Sequence, residues 1–173
     1  MRRNSFAIDI TNRQRALRID RALLRRAVRT VLAGESFDEA SVSLAILDDA
    51  AIRRLNRQYL VHDYPTDVLS FVWDRGEGRL EGEVIVSADT ARSSAPRFGW
   101  PAEDELLLYV VHGLLHLAGY DDRSRAERAR MRRREQKYLA ALGREPRYRP
   151  VRPGAGRDRT KLAGGPWGRK RIP

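Results

Sequence analysis

The sequence predicts an α/β (α+β) protein, with a small mixed sheet of about four strands packed against about five helices. Short apolar segments with strand-like alternation are separated by longer segments whose apolar residues recur at helical spacing. A glycine-containing turn joins two of the strand segments, which is typical of a hairpin. At 173 residues, 42% of them hydrophobic, the chain is long enough for one domain with a buried core.

Four segments have the alternation or the β-branched and aromatic content of strands. The turn is placed at residues 74–81, which contain Gly76 and Gly78. The peptide Tyr64-Pro65 disfavours helix just before the third strand. The predicted strands are residues 6–10, 41–47, 68–73 and 83–87.

Five helices are predicted in the remaining segments. Residues 103–117 are apolar on nearly every side, so this helix is expected to lie buried at the centre of the protein. Pro96 is expected to end the third helix, because proline cannot donate a helical hydrogen bond. The helices begin at Asp20, at Asp48 or Asp49, at Ala88, at Glu103 and at Ser124, and end near Gly34, Tyr59, Ala95, Leu117 and Leu142.

Positive charge is concentrated at the C-terminus. The net charge is +11, and residues 143–173 contribute +8 of it, with eight Arg and two Lys against one Asp and one Glu. Five of the eight prolines also lie there, with few aliphatic residues to offset the entropy of ordering. We expect one domain over residues 1–142 and a disordered basic tail over residues 143–173. The charge favours a nucleic-acid partner.

Composition excludes several classes of protein and site. Without cysteine, disulfides, thiolate metal sites and thiol nucleophiles are excluded, so a metal ion would need histidine and carboxylate ligands. The N-terminus has no apolar signal segment, and the longest nearly apolar run, residues 106–119, is too short for a membrane span. A cytoplasmic protein with no membrane association is expected.

Residues 112–122, HGLLHLAGYDD, predict a metal site. His112 and His116 are four residues apart on the central helix, so both imidazoles leave the same face. Gly119 allows the helix to end and the chain to turn back, which places Asp122 as a third ligand. Two histidines and one carboxylate leave a position for a metal-bound water, the candidate nucleophile of a hydrolase.

Alternatives remain at this site. Asp121 could replace Asp122 as ligand or cap the last helix, and histidine pairs on apolar helices also occur in cores without a metal. The spacing is similar to that of metzincin proteases, but Gly113 stands where their general-base glutamate follows the first histidine. This difference argues against a peptidase.

Three segments resemble the YbeY family of rRNA maturation factors, which are metal-dependent endoribonucleases. Residues 112–122 are similar to the signature H-G-x-L-H-L-x-G-Y-D-H. Residues 55–71, LNRQYLVHDYPTDVLSF, resemble L-N-x-x-Y-R-x-x-D-x-P-T-D-V-L-S-F, and residues 82–87, GEVIVS, resemble G-D-I-V-I-S. The resemblance implies a zinc-dependent, single-strand-specific endoribonuclease that matures the 3′ end of small-subunit rRNA in ribosome biogenesis. Its partners would be rRNA and the small ribosomal subunit, and DNA is not expected.

The resemblance also assigns site residues. His112 and His116 match the first two zinc-ligand histidines, and Asp122 stands where the family has a third. A carboxylate donates more charge than an imidazole, so the metal preference could move toward harder ions. With this substitution, a rival hypothesis is a non-catalytic ribosome-assembly or RNA-binding protein with a structural or degenerate metal site.

Other positions near the motif have more than one interpretation. Leu60 stands where the family has an arginine that contacts RNA phosphate; Arg57, one helical turn earlier, or His62 could substitute. Asp67 could assist as base or as a partner of the metal water, although we favour hydrogen bonds with nearby backbone amides. Base stacking is conceivable for three aromatic residues, but core packing is the favoured interpretation for at least two of them: Tyr59, Phe71 and Trp73.

Overall fold

The computed structural model describes residues 4–148, which form a mixed sheet of four strands and five helices, and this confirms the predicted fold class. Within these residues every helix is too short or too polar to cross a lipid bilayer. The elements are β1 (Ser5–Arg13), α1 (Arg21–Gly34), β2 (Glu39–Leu47), α2 (Asp49–Leu60), β3 (Val68–Gly76), β4 (Arg79–Ser87), α3 (Ala88–Phe98), α4 (Ala102–Leu117) and α5 (Arg125–Ala141).

The sheet has the strand order β1-β2-β4-β3. β1 and β2 are parallel, as are β2 and β4, while β3 returns antiparallel beside β4. The parallel pairs need long crossover connections, and α1 supplies the one between β1 and β2. β3 therefore lies at one edge of the sheet, next to the strand that packs under α4.

The two faces of the sheet are covered differently. α1 and α4 cover one face, with α5 packed against both helices, and a large apolar cluster there includes Val68 and Val84. α2 covers part of the other face, where Leu69 and Ile85 belong to a small cluster. Neighbouring residues of a strand point to opposite faces, so the alternation along β3 and β4 separates the two clusters.

Two predicted boundaries were wrong. The turn at residues 74–81 is much shorter, because β3 and β4 stay paired from Asp74 and Glu81 to Gly76 and Arg79, with an irregularity between Val72 and Asp74. Helix α3 also continues past Pro96 to Phe98. Proline removes a single hydrogen bond there, and burial of Phe98 in the last turn offsets this loss.

The predicted helix caps are present. The Asp20 side chain accepts from the Leu23 amide, and Ser124 and Glu127 form a reciprocal capping box at the start of α5. After α5, residues 143–148 return toward α4 and α5. Residues 149–173, the rest of the predicted tail, lie outside the described residues.

Candidate metal centre

Helix α4 lies directly on the sheet because one of its residues has no side chain. A Cβ at Gly113 would lie 2.5 Å from Val84 Cγ1 and 2.9 Å from Val68 Cγ2. The Ser70 hydroxyl of β3 donates to the Gly113 carbonyl at 3.1 Å. Position 113 therefore faces the sheet at contact distance and has no room for the general-base glutamate of a metallopeptidase.

The two histidines of α4 face one another. His112 Nε2 and His116 Nε2 are 3.0 Å apart, and both side chains are mostly buried. The four-residue spacing on a rigid, buried helix fixes this approach. As the sequence predicted, both imidazoles project from one face of α4.

The chain after α4 brings a carboxylate to the same point. Gly119 has a φ of +102°, which residues with a side chain rarely adopt, and a Cβ there would lie 2.5 Å from a guanidinium nitrogen of Arg75, whose flexible side chain would have to shift. The turn returns Asp122 Oδ2 to 3.7 Å from His112 Nε2 and 4.0 Å from His116 Nε2. Asp122 is 5% exposed, and its other oxygen, Oδ1, is buried without a hydrogen-bond partner among the described residues.

Asp122, and not Asp121, joins the histidines. One ligand atom each from His112, His116 and Asp122 lie within 4.8 Å of one another. Asp121 Oδ1 instead accepts from the Asp122 amide at 2.8 Å, and Asp121 Oδ2 lies 3.5 Å from Arg123 Nε. The sequence thus identified the converging residues, and the turn geometry resolves the choice between neighbouring aspartates.

Hydrogen bonds on the far side of each ring orient both histidines. His112 Nδ1 donates to Glu135 Oε1 at 2.7 Å, and His116 Nδ1 donates to the Tyr120 carbonyl at 3.0 Å. Donation from Nδ1 leaves Nε2 directed at the centre, which is the arrangement found in histidine ligands with an outer carboxylate or carbonyl partner.

The electrostatic environment differs between the rings. For His112, burial lowers the pKa, but the Glu135 hydrogen bond and nearby carboxylates outweigh burial and raise the pKa above its usual range. Burial and the charge of His112 lower the pKa of His116 to about 3. Burial raises the pKa of the Asp122 carboxyl. At neutral pH His116 is therefore a neutral imidazole whose Nε2 lone pair faces the centre.

These donor atoms suit a divalent cation. Zinc bonds of about 2.1 Å at a tetrahedral angle would separate two ligand atoms by about 3.4 Å, close to the observed contact between the two imidazoles. The two Nε2 atoms and Asp122 Oδ2 face one point, and a cation bound there would neutralise a buried carboxylate whose second oxygen, Oδ1, has no hydrogen-bond partner among the described residues. The residues present therefore fit a metal ion.

Asp67 lies near this centre but is already hydrogen-bonded. Its Oδ1 accepts from the Val68 amide at 2.9 Å and from the Thr66 hydroxyl at 3.2 Å, as the structural interpretation of the P-T-D turn anticipates. Its negative charge contributes to raising the pKa of both His112 and Asp122. Asp67 is thus close enough to act on the group electrostatically.

The other candidate residues lie around α2. Arg57 is on the surface, with its side chain 65% exposed and Nη1 3.9 Å from Asp63 Oδ1. The His62 ring lies beside that of Tyr64, with 5.4 Å between centroids. Leu60 packs against the small apolar cluster. None of these α2-side contacts involves the histidine pair.

The prediction that at least two of the three aromatic residues pack in the core was wrong. Phe71 packs against the small cluster, but Tyr59 and Trp73 are 39% and 52% exposed. The Phe71 and Trp73 rings stack with 6.0 Å between centroids. β3 is an edge strand, and α2 covers only part of its length. Trp73 lies beyond the covered part and is therefore exposed.

The sequence did not identify the groups that support the centre. Glu135, from α5, holds His112, and Arg128 Nη1 donates to the carbonyls of Asp122 and Arg123 at 3.2 and 2.6 Å. Glu135 did leave a signal, because it stands among the apolar residues of the buried stripe of α5, where a carboxylate needs a partner. That stripe includes Met131, Tyr138 and Leu139.

Comparisons with known proteins identify the family. The family model described as endoribonuclease YbeY matches residues 9–143. Endoribonuclease YbeY of Chloroherpeton thalassium is 41% identical over 119 residues, which are 69% of this chain and 84% of the relative. That of Pelotomaculum thermopropionicum is 42% identical over 144 residues, or 77% of this chain and 95% of the relative. The solution structure of TM1509 from Thermotoga maritima matches with a TM-score of 0.56 and 26% identity, covering 79% of this chain and 91% of that one. With its fold, its converging histidines and these matches, the chain belongs to the YbeY family.

Proposed function

We propose that the chain is a metal-dependent endoribonuclease that cleaves single-stranded RNA and matures the 3′ end of small-subunit rRNA in the cytoplasm. The observation that carries this proposal is the convergence of His112, His116 and Asp122 on one point. The relatives named above are endoribonucleases, which supports RNA as the substrate. The small ribosomal subunit is the expected partner.

The residues that would hold the ion are His112, His116 and Asp122. Zinc is the first candidate, and the carboxylate also admits harder divalent ions. When bound, the ion supplies Lewis-acid polarisation of the phosphate and a lowered pKa for the attacking water. Glu135 and the Tyr120 carbonyl keep both Nε2 atoms directed inward.

Hydrolysis adds one water molecule across a phosphorus–oxygen bond, so the water must lose a proton as its oxygen attacks phosphorus. Asp67 is the proposed acceptor, because its carboxylate lies within electrostatic reach of His112 and Asp122. The leaving ribose oxygen then takes up a proton from solvent. The exposed guanidinium of Arg57 is proposed to contact a backbone phosphate.

The test combines zinc content with RNA cleavage. The zinc-loaded wild-type chain is expected to cut single-stranded RNA, and His116→Ala to weaken zinc binding at least about 100-fold and abolish cutting. Asp122→His should retain zinc, and Asp122→Ala should lose most of it. His62→Ala is the matched control for zinc content. Folded His116→Ala that cuts as well as wild type, or metal-loaded wild type that cuts no single-stranded RNA, would refute the proposal.

The part of the predicted tail that lies outside the described residues is proposed to bind the RNA backbone. Residues 149–173 contain six Arg and two Lys against one Asp, a net of +7. Each phosphate contact on a single strand contributes about −0.7 to the slope of log affinity against log salt. Deleting these residues should weaken RNA binding and flatten that slope, as measured by titration at several salt concentrations. An unchanged slope would contradict a role for the tail.

A further inference from the structure

The last described residues return to the metal centre. Gly143, with a φ of +76°, reverses the chain after α5, and the Arg144 amide donates to the Leu139 carbonyl at 2.8 Å. The Arg144 guanidinium donates through Nε to Asp104 Oδ1 at 2.5 Å, which ties the segment to α4. Residues 143–148 therefore have specific contacts on both helices that build the site.

Tyr148 completes this return. Its hydroxyl donates to Glu135 Oε2 at 2.9 Å, while Glu135 Oε1 accepts from His112 Nδ1 at 2.7 Å. The guanidinium carbon of Arg132 lies 5.3 Å from the centre of the Tyr148 ring. One buried carboxylate, 4% exposed, thus joins the C-terminal segment to a proposed metal ligand.

We propose that Tyr148 is a positioning residue of the metal centre, acting through Glu135 on His112; the inference rests on the metal site of the proposed function. A buried carboxylate is stable in one orientation only when both oxygens are hydrogen-bonded. Without the Tyr148 hydroxyl, Glu135 Oε2 loses this donor, and the carboxylate no longer fixes the ring of His112. The family model ends at residue 143, so Tyr148 lies outside the part of the chain that it matches.

The test uses the full-length chain and Zn²⁺ in competition with a chromophoric chelator. Tyr148→Phe removes the hydroxyl and keeps the ring beside Arg132. Loss of a direct outer partner of a metal ligand costs about 10–100-fold in affinity, so Glu135→Gln should fall in that range and Tyr148→Phe, one contact further away, about 5–10-fold. Tyr64→Phe, an exposed tyrosine near α2, is the matched control and should leave zinc affinity unchanged.

A double variant separates positioning from simple packing. If Tyr148 acts through Glu135, the combined variant should bind zinc no more weakly than Glu135→Gln alone. The unfolding temperature of the metal-free chain should change little in Tyr148→Phe, and the Nδ1–H resonance of His112 should move there but not in Tyr64→Phe. A residue that only packs would lower the unfolding temperature and leave zinc affinity and this resonance unaltered.

The outcomes are distinguishable. Wild-type protein that binds no zinc would overturn this inference, and wild-type protein that binds no divalent ion at all would overturn the proposed function as well. Wild-type protein that binds zinc, with Tyr148→Phe binding equally well, would overturn the inference alone. Additive losses in the double variant would likewise show that Tyr148 does not act through Glu135.

Discussion

The face of the sheet under α4 and the face under α2 differ in how much apolar surface they bury. Within residues 4–148, thirty buried residues form the cluster on the α4 face, and four form the cluster on the α2 face. The histidine pair belongs to the helix at the centre of the larger cluster. The proposed metal ligands therefore lie where packing restricts movement most.

The α2 face has a different character. Tyr59 and Trp73 are exposed there, and Glu83 stands opposite Phe71 in the strand register. Few apolar contacts stabilise this face, so we expect it to tolerate substitution far better than the α4 face. Equal side-chain changes on the two faces test this difference directly.

The largest difference in the free energy of unfolding is expected between two matched leucine-to-alanine substitutions, one on each face. Leu107 is 1% exposed in the large cluster, whereas Leu60 is only partly buried against the small one. Leu107→Ala should lower the free energy of unfolding by about 3–4 kcal/mol through lost burial and the cavity left behind. Leu60→Ala should lower it by about 1 kcal/mol or less. Urea denaturation measures both, and similar losses would contradict the proposed contrast between the faces.

A smaller effect is expected where α4 meets the sheet. In a helix interior alanine is more favourable than glycine by about 1 kcal/mol. Gly113→Ala would therefore stabilise the protein if there were free space beside the helix. Here the added Cβ would overlap Val84 and Val68, and we expect a net loss of about 2 kcal/mol.

Gly76→Ala is the control for this clash. Among the described residues, and apart from the two chain neighbours of Gly76, no heavy atom would lie within 4 Å of a Cβ at this position on the edge strand β3. The effect of Gly76→Ala on the free energy of unfolding should therefore stay within about 0.5 kcal/mol. Gly113→Ala as stable as wild type would show that α4 can move away from the sheet. In that case packing against the sheet would not hold α4 and its histidines rigidly.

Local sequence patterns anticipated the elements of the fold and the convergence of two histidines and an aspartate, because these depend on short spacings. His116 follows His112 by four positions, and Gly119 permits the turn that returns Asp122. Contacts between distant segments were not predictable in this way. Glu135 is 23 residues from His112, and its pairing depends on how α5 packs against α4.

The exposed aromatics illustrate the same limit. The composition of residues 68–73 correctly indicated a strand, but it did not indicate that β3 would be an edge strand. Burial of Trp73 depends on how far α2 extends over the sheet, which is a tertiary property. A strand's sequence therefore predicts its backbone better than the surroundings of its side chains.

The smallest effect concerns charge on the α2 face. Burial raises the pKa of Glu83, so ionisation costs the folded protein free energy above the unfolded pKa of about 4.3. Glu83→Gln should therefore stabilise the protein at pH 7, by less than about 0.5 kcal/mol because solvent screens a half-buried carboxylate. As the pH falls through the folded and then the unfolded pKa, wild-type Glu83 becomes protonated in both states and the advantage of the variant should disappear.

Unfolding by urea at pH 7 and at about pH 3.5 measures this dependence, with exposed Glu81→Gln on the same face of β4 as control. If the stability advantage of Glu83→Gln stays constant with pH, it reflects a change in packing or strand preference. The part of the advantage that comes from ionisation of Glu83 would disappear in acid. An effect as large as that of Leu107→Ala would mean that the α2 face is as tightly packed as the face that carries the proposed metal centre. The expected small, pH-dependent gain instead requires a face that is partly open to solvent.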